Sequence, residues 1–237
     1  MAKNNYKEYR EVITNELLKY LNDSNFKKWG KTGLIAKEKI YEDSITLFIE
    51  DAYYRDENII GAVFNYQIKR RFDKIEGLWE KYILDIGENV NTDVFKCPTL
   101  YYNHFLIEYP DNYWTKMFYI ESAQYKDIYQ FTEEFIKIFS DKIIPIMNQT
   151  QSYKQLDVSI NREEMTSTKL CFYHRGFLLK KMIVAKLAGN PNYEKVCQEV
   201  LELIEKKRET EPKNYEGFKY VYGEILKKLE SVEEYVE

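Results

Sequence analysis

The chain predicts an α+β fold, an antiparallel sheet of about five strands flanked by helices, with an all-helical C-terminal block. Three observations carry that prediction. Runs rich in Ile, Val, Phe, Thr and Tyr, separated by polar clusters, fill the region from Thr32 to Lys69. At Asp73 the apolar spacing changes from two to three and four. Beyond about residue 160 that helical spacing continues to the end. The expected organisation is a sheet domain over 1–160 and a helical subdomain over 161–237, packed on it.

The opening segment, Asn5 to Leu21, sets Tyr6, Tyr9, Ile13, Leu17 and Leu21 on one helical face. Asn22, Asp23, Ser24 and Asn25 prefer turns and stop it. Strands are expected at Thr32–Tyr41, Ser44–Glu50 and Ile59–Lys69, as a meander whose first turn is Glu42-Asp43. Ile75, Leu78, Trp79, Tyr82, Ile83 and Ile86 then define a short amphipathic helix that Gly87 can close. Two further strands, Leu100–Tyr109 and Tyr113–Glu121, flank the turn residues Pro110-Asp111-Asn112. A long helix from Tyr125 to Ile143 buries Ile128, Phe131, Phe135, Phe139 and Ile143, with Pro145 just past its end.

After a polar stretch from Asn148 to Arg162, Thr168–Ala188 is apolar on most sides, the mark of a central helix, and Gly189-Asn190-Pro191 ends it. Two amphipathic stripes follow. One comprises Tyr193, Val196, Cys197, Val200, Leu201 and Ile204; the other comprises Tyr215, Phe218, Tyr222, Ile225 and Leu229. Neither can hide its apolar face alone, so both must pack on something.

Composition narrows the function classes. A net charge of -4 with signs mixed along the chain points away from nucleic acid as an obligate ligand. Cys97, Cys171 and Cys197 are odd in number, far apart and without a CxxC pair, the pattern of reduced thiols. The N-terminus has no apolar run of the secretory kind, and no uncharged apolar stretch can span a bilayer. The expectation is a cytoplasmic chain with no membrane contact. Aromatic residues make up 16%, including 22 Tyr, and suit both a large core and a binding surface.

The corner Asn25-Phe26-Lys27-Lys28-Trp29-Gly30, the later Trp114, and the helix end Ile143-Ile144-Pro145-Ile146-Met147 resemble motifs of the bacterial family called domain of unknown function 4304. The resemblance covers about the first two-thirds of the chain. Asn25 departs from the family's usual glycine. It implies an α+β fold and no established chemistry. Small bacterial proteins of this general kind include immunity proteins encoded beside toxins, so the implied partner is a protein, with a toxin as its most specific form.

Candidate chemistry is sparse. Cys171 and His174 are three apart in the expected central helix, but two ligands do not close a metal site, and neither metal nor cofactor is expected. His104 is far away in sequence. Glu133-Glu134 and Glu163-Glu164 are adjacent pairs that do not face each other on a helix. No glycine-rich phosphate loop or nucleophile elbow is present. One enzyme alternative stands, a metal-dependent nuclease of the restriction-enzyme-like class. It would use Asp51 and Gln67 to hold magnesium and Lys69 to stabilise charge on phosphate. The leading expectation is a non-catalytic binding protein whose basic run, Lys69, Arg70, Arg71 and Lys74, meets an acidic partner.

Overall fold

A computed structural model of the protein describes residues 6–22, 24–30, 33–54, 57–87, 99–102, 118–120, 128–162, 171–172 and 176–235. The fold is α+β with helices at the C-terminus. The chain divides into two compact units, each discontinuous in sequence. The first holds 1–70, 101–147 and 168–171; the second holds 71–100, 148–167 and 172–237. The division thus falls at several places along the chain, where a single cut at 160 was expected.

The first unit is a sheet with helices on one side. Among the described residues its strands are β1 (Lys27–Trp29), β2 (Gly33–Lys37), β3 (Glu42–Tyr54), β4 (Glu57–Arg71), β5 (Leu100–Tyr102), β6 (Phe118–Ile120) and β7 (Cys171–Phe172). Their order is β1-β2-β3-β4-β5-β7, with β6 on β4. The pairs β1–β2, β2–β3 and β4–β6 are antiparallel. Register fixes the two faces, since cross-strand partners share one. Leu34 faces Ile45 and Ala36 faces Asp43 on the inner side. These residues are buried, as are Leu47, Tyr66, Ile68 and Tyr102.

Helix α1 (Tyr6–Tyr20) buries Ile13 and Leu17 as its spacing predicts, and Leu21 is buried just past its end. It lies on the inner side, where Lys28 reaches back to Asn15 at 3.2 Å. Helix α2 (Ile128–Ile138) stacks Phe131 and Phe135, and Phe135 tilts onto Tyr66 with ring centroids 5.1 Å apart. It continues through a wide π turn, Phe139–Ile143, into α3 (Ile144–Asn148). Pro145 was expected to lie beyond the helix. It sits inside instead, because the widened turn accommodates a residue that has no N–H and whose ring would clash with the preceding turn.

Two strand expectations are corrected. Glu42 and Asp43 are strand residues, paired with Lys37 and Ala36, and the turn is Glu38–Tyr41, closed by Glu38 N–H to Tyr41 O at 2.9 Å. Cys171 and Phe172 form a strand, so the expected helix from Thr168 begins only at Phe177. Most of the expected strands 100–109 and 113–121 lies outside the described residues, as do Cys97, His104, Trp114 and His174.

The second unit is helical. It contains α4 (Asp73–Trp79), α5 (Tyr153–Asp157), α6 (Phe177–Leu187), α7 (Tyr193–Thr210), α8 (Pro212–Tyr215) and α9 (Phe218–Leu229). Helix α5 falls in the polar stretch from Asn148 to Arg162; Ser152 caps it by accepting from Gln155 N–H at 3.1 Å. Helix α6 is buried nearly all round and ends as expected. Gly189 takes φ +63°, Asn190 N–H bonds Ala185 O at 2.9 Å and Gly189 N–H bonds Lys186 O at 3.2 Å. This is the Schellman arrangement that a left-handed glycine permits. Val196, Cys197, Val200 and Ile204 are buried on α7, and Tyr215, Phe218, Tyr222, Ile225 and Leu229 in and around α8 and α9. Most of both predicted stripes is therefore core, while Tyr193 and Leu201 are half-buried. No described helix is long and apolar enough to cross a membrane.

Candidate functional site: the outward face of the sheet

Alternation along β4 separates two sets of side chains. Tyr66, Ile68 and Arg70 are buried, while Gln67, Lys69 and Arg71 are half-buried. Arg70, expected on a solvated basic surface, therefore points into the core. Its Nε and Nη2 donate to Asp43 Oδ1 and Oδ2 at 2.7 and 2.6 Å, and Nη1 donates to Met147 O at 2.6 Å. Its guanidinium also lies over the Tyr41 ring, 3.9 Å from the centroid. Burial pushes the Asp43 carboxyl up and the Arg70 hydrogen bonds pull it back. This constellation ties β3, β4 and the end of α3 together; it offers nothing to an outside ligand.

Arg71 belongs to the second unit and is committed there, to Asp73 at 2.6 Å and Glu80 at 2.9 Å. Lys74, in the same unit, is exposed, with its amino group 5.5 Å from the Tyr235 ring centroid.

Lys69 differs from these. It is half-buried beside Tyr101, 5.4 Å from the ring centroid, and burial holds its amine below the ordinary lysine range. No carboxylate compensates it among the described residues. Gln67, two residues earlier on the same face, likewise has no hydrogen-bond partner among them.

Register extends this face across the sheet. Thr46 pairs with Gly33, and Gly33 with Trp29; Ser44 pairs with Ile35, and Ile35 with Lys27. The outward face thus carries Lys27 and Trp29 on β1, Ile35 and Lys37 on β2, and Glu42, Ser44, Thr46 and Phe48 on β3. Gln67, Lys69 and Tyr101 complete it. All but Gly33 are half-buried or exposed. Among the described side chains its carboxylate is Glu42, which is already held by Lys37 at 3.1 Å. On a chain of net charge -4, this face is locally basic and dotted with aromatic and branched apolar groups. Such a mixture suits recognition of an acidic protein surface.

The nuclease trio is not brought together. Asp51 lies near the end of β3 that leads into the short connection at 55–56, whereas Gln67 and Lys69 lie near the far end of the 15-residue β4. At about 3.3 Å per residue the separation along the ladder is on the order of 30 Å. The Asp51 side chain is outside the described residues.

One buried cluster in the second unit was not legible as such. Glu76 Oε1 accepts from Thr99 Oγ1 at 2.6 Å and from Lys180 Nζ at 2.9 Å; Oε2 accepts from Trp79 Nε1 at 2.8 Å. Lys180 also sits 4.8 Å from a Trp79 ring centroid, and Glu76 and Lys180 are both fully buried. Burial pushes the Glu76 carboxyl up, against Lys180 and its hydrogen-bond donors. Sealed from solvent, the cluster locks α4, α6 and Thr99 together. Among the described residues, no three His, Cys, Asp or Glu side chains are grouped to hold a metal ion. Cys197 is a free, buried thiol.

In comparisons with protein-family models, curated proteins and solved structures, nothing matches the chain.

Proposed function

We propose that this is a non-catalytic binding protein of the bacterial cytoplasm that engages an acidic protein partner through the outward face of its sheet. The observation that carries the reading is Lys69. A partly desolvated ammonium without a carboxylate is unfavourable in the free protein and becomes favourable once a partner supplies the missing charge. Gln67, Ser44 and Thr46 add hydrogen-bonding groups on the same face, and Trp29, Phe48 and Tyr101 add apolar area. Lys74 is an exposed cation of the second unit, while Arg70 and Arg71 are held by Asp43 and by Asp73 and Glu80.

The most specific form of the reading is an immunity protein that neutralises a toxin by direct binding, as the family resemblance implies. Its test is association with the purified product of the adjacent gene. Lys69→Glu should slow association by at least about tenfold at low salt, and the effect should shrink as salt screens the pair. A complex indifferent to Lys69→Glu would remove the outward face from the reading. The enzyme alternative, a metal-dependent nuclease, finds no support in the placement of Asp51, Gln67 and Lys69; magnesium-dependent plasmid cleavage that stops in Lys69→Ala would nevertheless overturn the binding reading.

A further inference from the structure

Tryptophan is seldom left in water, because its large ring gains so much on burial. Trp29 is nevertheless 54% exposed, on a strand whose three residues are all exposed. Its cross-strand partner is Gly33. A Cβ at Gly33 would come within 3.2 Å of Trp29 Cε3 and 3.1 Å of Trp29 O, so the glycine is what lets the indole lie close against the sheet. The ring is held on one side and open on the other. Among the described residues it meets no second ring, and its N–H meets no acceptor. An aromatic group fixed in place before binding loses little freedom when a partner covers it.

The strand that carries this ring stands first in the strand order of the sheet. Among the described residues β1 pairs with β2 alone. Lys27 stands on the same face as Trp29, exposed and without a partner among the described residues; Lys28 stands on the other face, loosely held by Asn15. From Ser24 to Lys31 the sequence contains three lysines and no acid. Lysines on a short edge strand also guard against indiscriminate pairing. That role does not call for an exposed tryptophan, which would work against it.

We infer that β1 is a docking edge for an extended acidic segment of a protein partner, which adds as a further strand beside Lys27–Trp29 and covers the Trp29 indole. Main-chain hydrogen bonds to the open edge set the direction, the lysines select acidic side chains, and the indole supplies the anchor. The inference rests on the binding reading above and shares Lys27 and Trp29 with it, but its test turns on the β1 edge and not on Lys69, so the two can fail separately.

The test uses the full chain and a twelve-residue peptide alternating glutamate with valine. The readout is the Trp29 indole N–H resonance, assigned by its loss in Trp29→Phe. The expected result is a saturable shift with sub-millimolar affinity at low salt. Affinity should fall about tenfold in Trp29→Ala and at least as far in Lys27→Glu combined with Lys28→Glu. All three positions are exposed, so these variants should keep the native circular dichroism, and Lys195→Ala, at an exposed lysine of α7, should bind the peptide as the parent does. Three outcomes would overturn the inference: no saturable binding by the parent protein, equal binding by Trp29→Ala, or equal binding of a peptide alternating lysine with valine. None of them would touch a Lys69-dependent complex with another partner.

Discussion

Arg70 and Asp43, 27 residues apart in sequence, form a two-pronged ion pair with donor–acceptor distances of 2.7 and 2.6 Å inside the first unit. Removing one member strands the other charge in the core. Arg70→Met should cost about 3–5 kcal/mol in urea unfolding, whereas Arg70→Met with Asp43→Leu should recover much of that loss. Additive losses in the double variant would show that the two side chains act independently.

Gly176 packs against the tryptophan of the second buried cluster. A Cβ there would lie 2.5 Å from Trp79 Cζ3, and that ring is pinned by its hydrogen bond to Glu76. Gly176→Ala should therefore destabilise the protein by about 1–3 kcal/mol, the usual range for overpacking. Thermal unfolding checks it; an unchanged midpoint would mean that the ring moves aside freely.

Much of the fold was legible because periodicity reports burial directly. Most of the stripes of α1, α7 and α9 became core, among them Ile13, Leu17, Val196, Val200, Ile204, Phe218 and Ile225, and the left-handed Gly189 ended α6 where its sequence said it should. What was not legible depended on distant partners. Asp43 beside Glu42 has the composition of a turn, and only the arrival of Arg70 from β4 makes it a core residue. Arg70 itself sits in a basic run that looks solvated. Alternation along β4 was the signal that could have separated it from Lys69, since Tyr66, Ile68 and Arg70 fall on one side. Nothing in the sequence singles out Glu76, because its partners Thr99 and Lys180 are remote from it along the chain. The outward face was invisible for the same reason: Trp29, Thr46 and Lys69 come together only through strand register.

Val200 is fully buried on α7. Val200→Asp should cost several kcal/mol, since it places an unpaired carboxylate in an apolar seam. A variant that melts with the parent protein would show that this stripe is open in solution.

Lys69 should behave in the opposite sense. Burial lowers its amine below the ordinary 10.5, so the charged form disfavours the folded state. Lys69→Met should therefore raise stability slightly at neutral pH, seen as a small upward shift of the melting midpoint, since solvent screens part of the effect. The sign follows from linkage. Between the lowered value and 10.5 the unfolded chain binds more protons than the folded one, so parent stability rises with pH there. The advantage of Lys69→Met should accordingly fade as pH climbs through that alkaline window. A destabilised Lys69→Met at neutral pH would mean that the lysine already has its compensating charge.

The most direct measurement of the binding reading is the association rate of the full chain with the purified product of its neighbouring gene, followed across salt concentration. The account predicts a complex whose association slows with salt and slows again, by about tenfold or more at low salt, in Lys69→Glu. A complex with the same rate in Lys69→Glu and no salt dependence, or a parent protein that cleaves plasmid DNA with magnesium and loses that activity in Lys69→Ala, would contradict it.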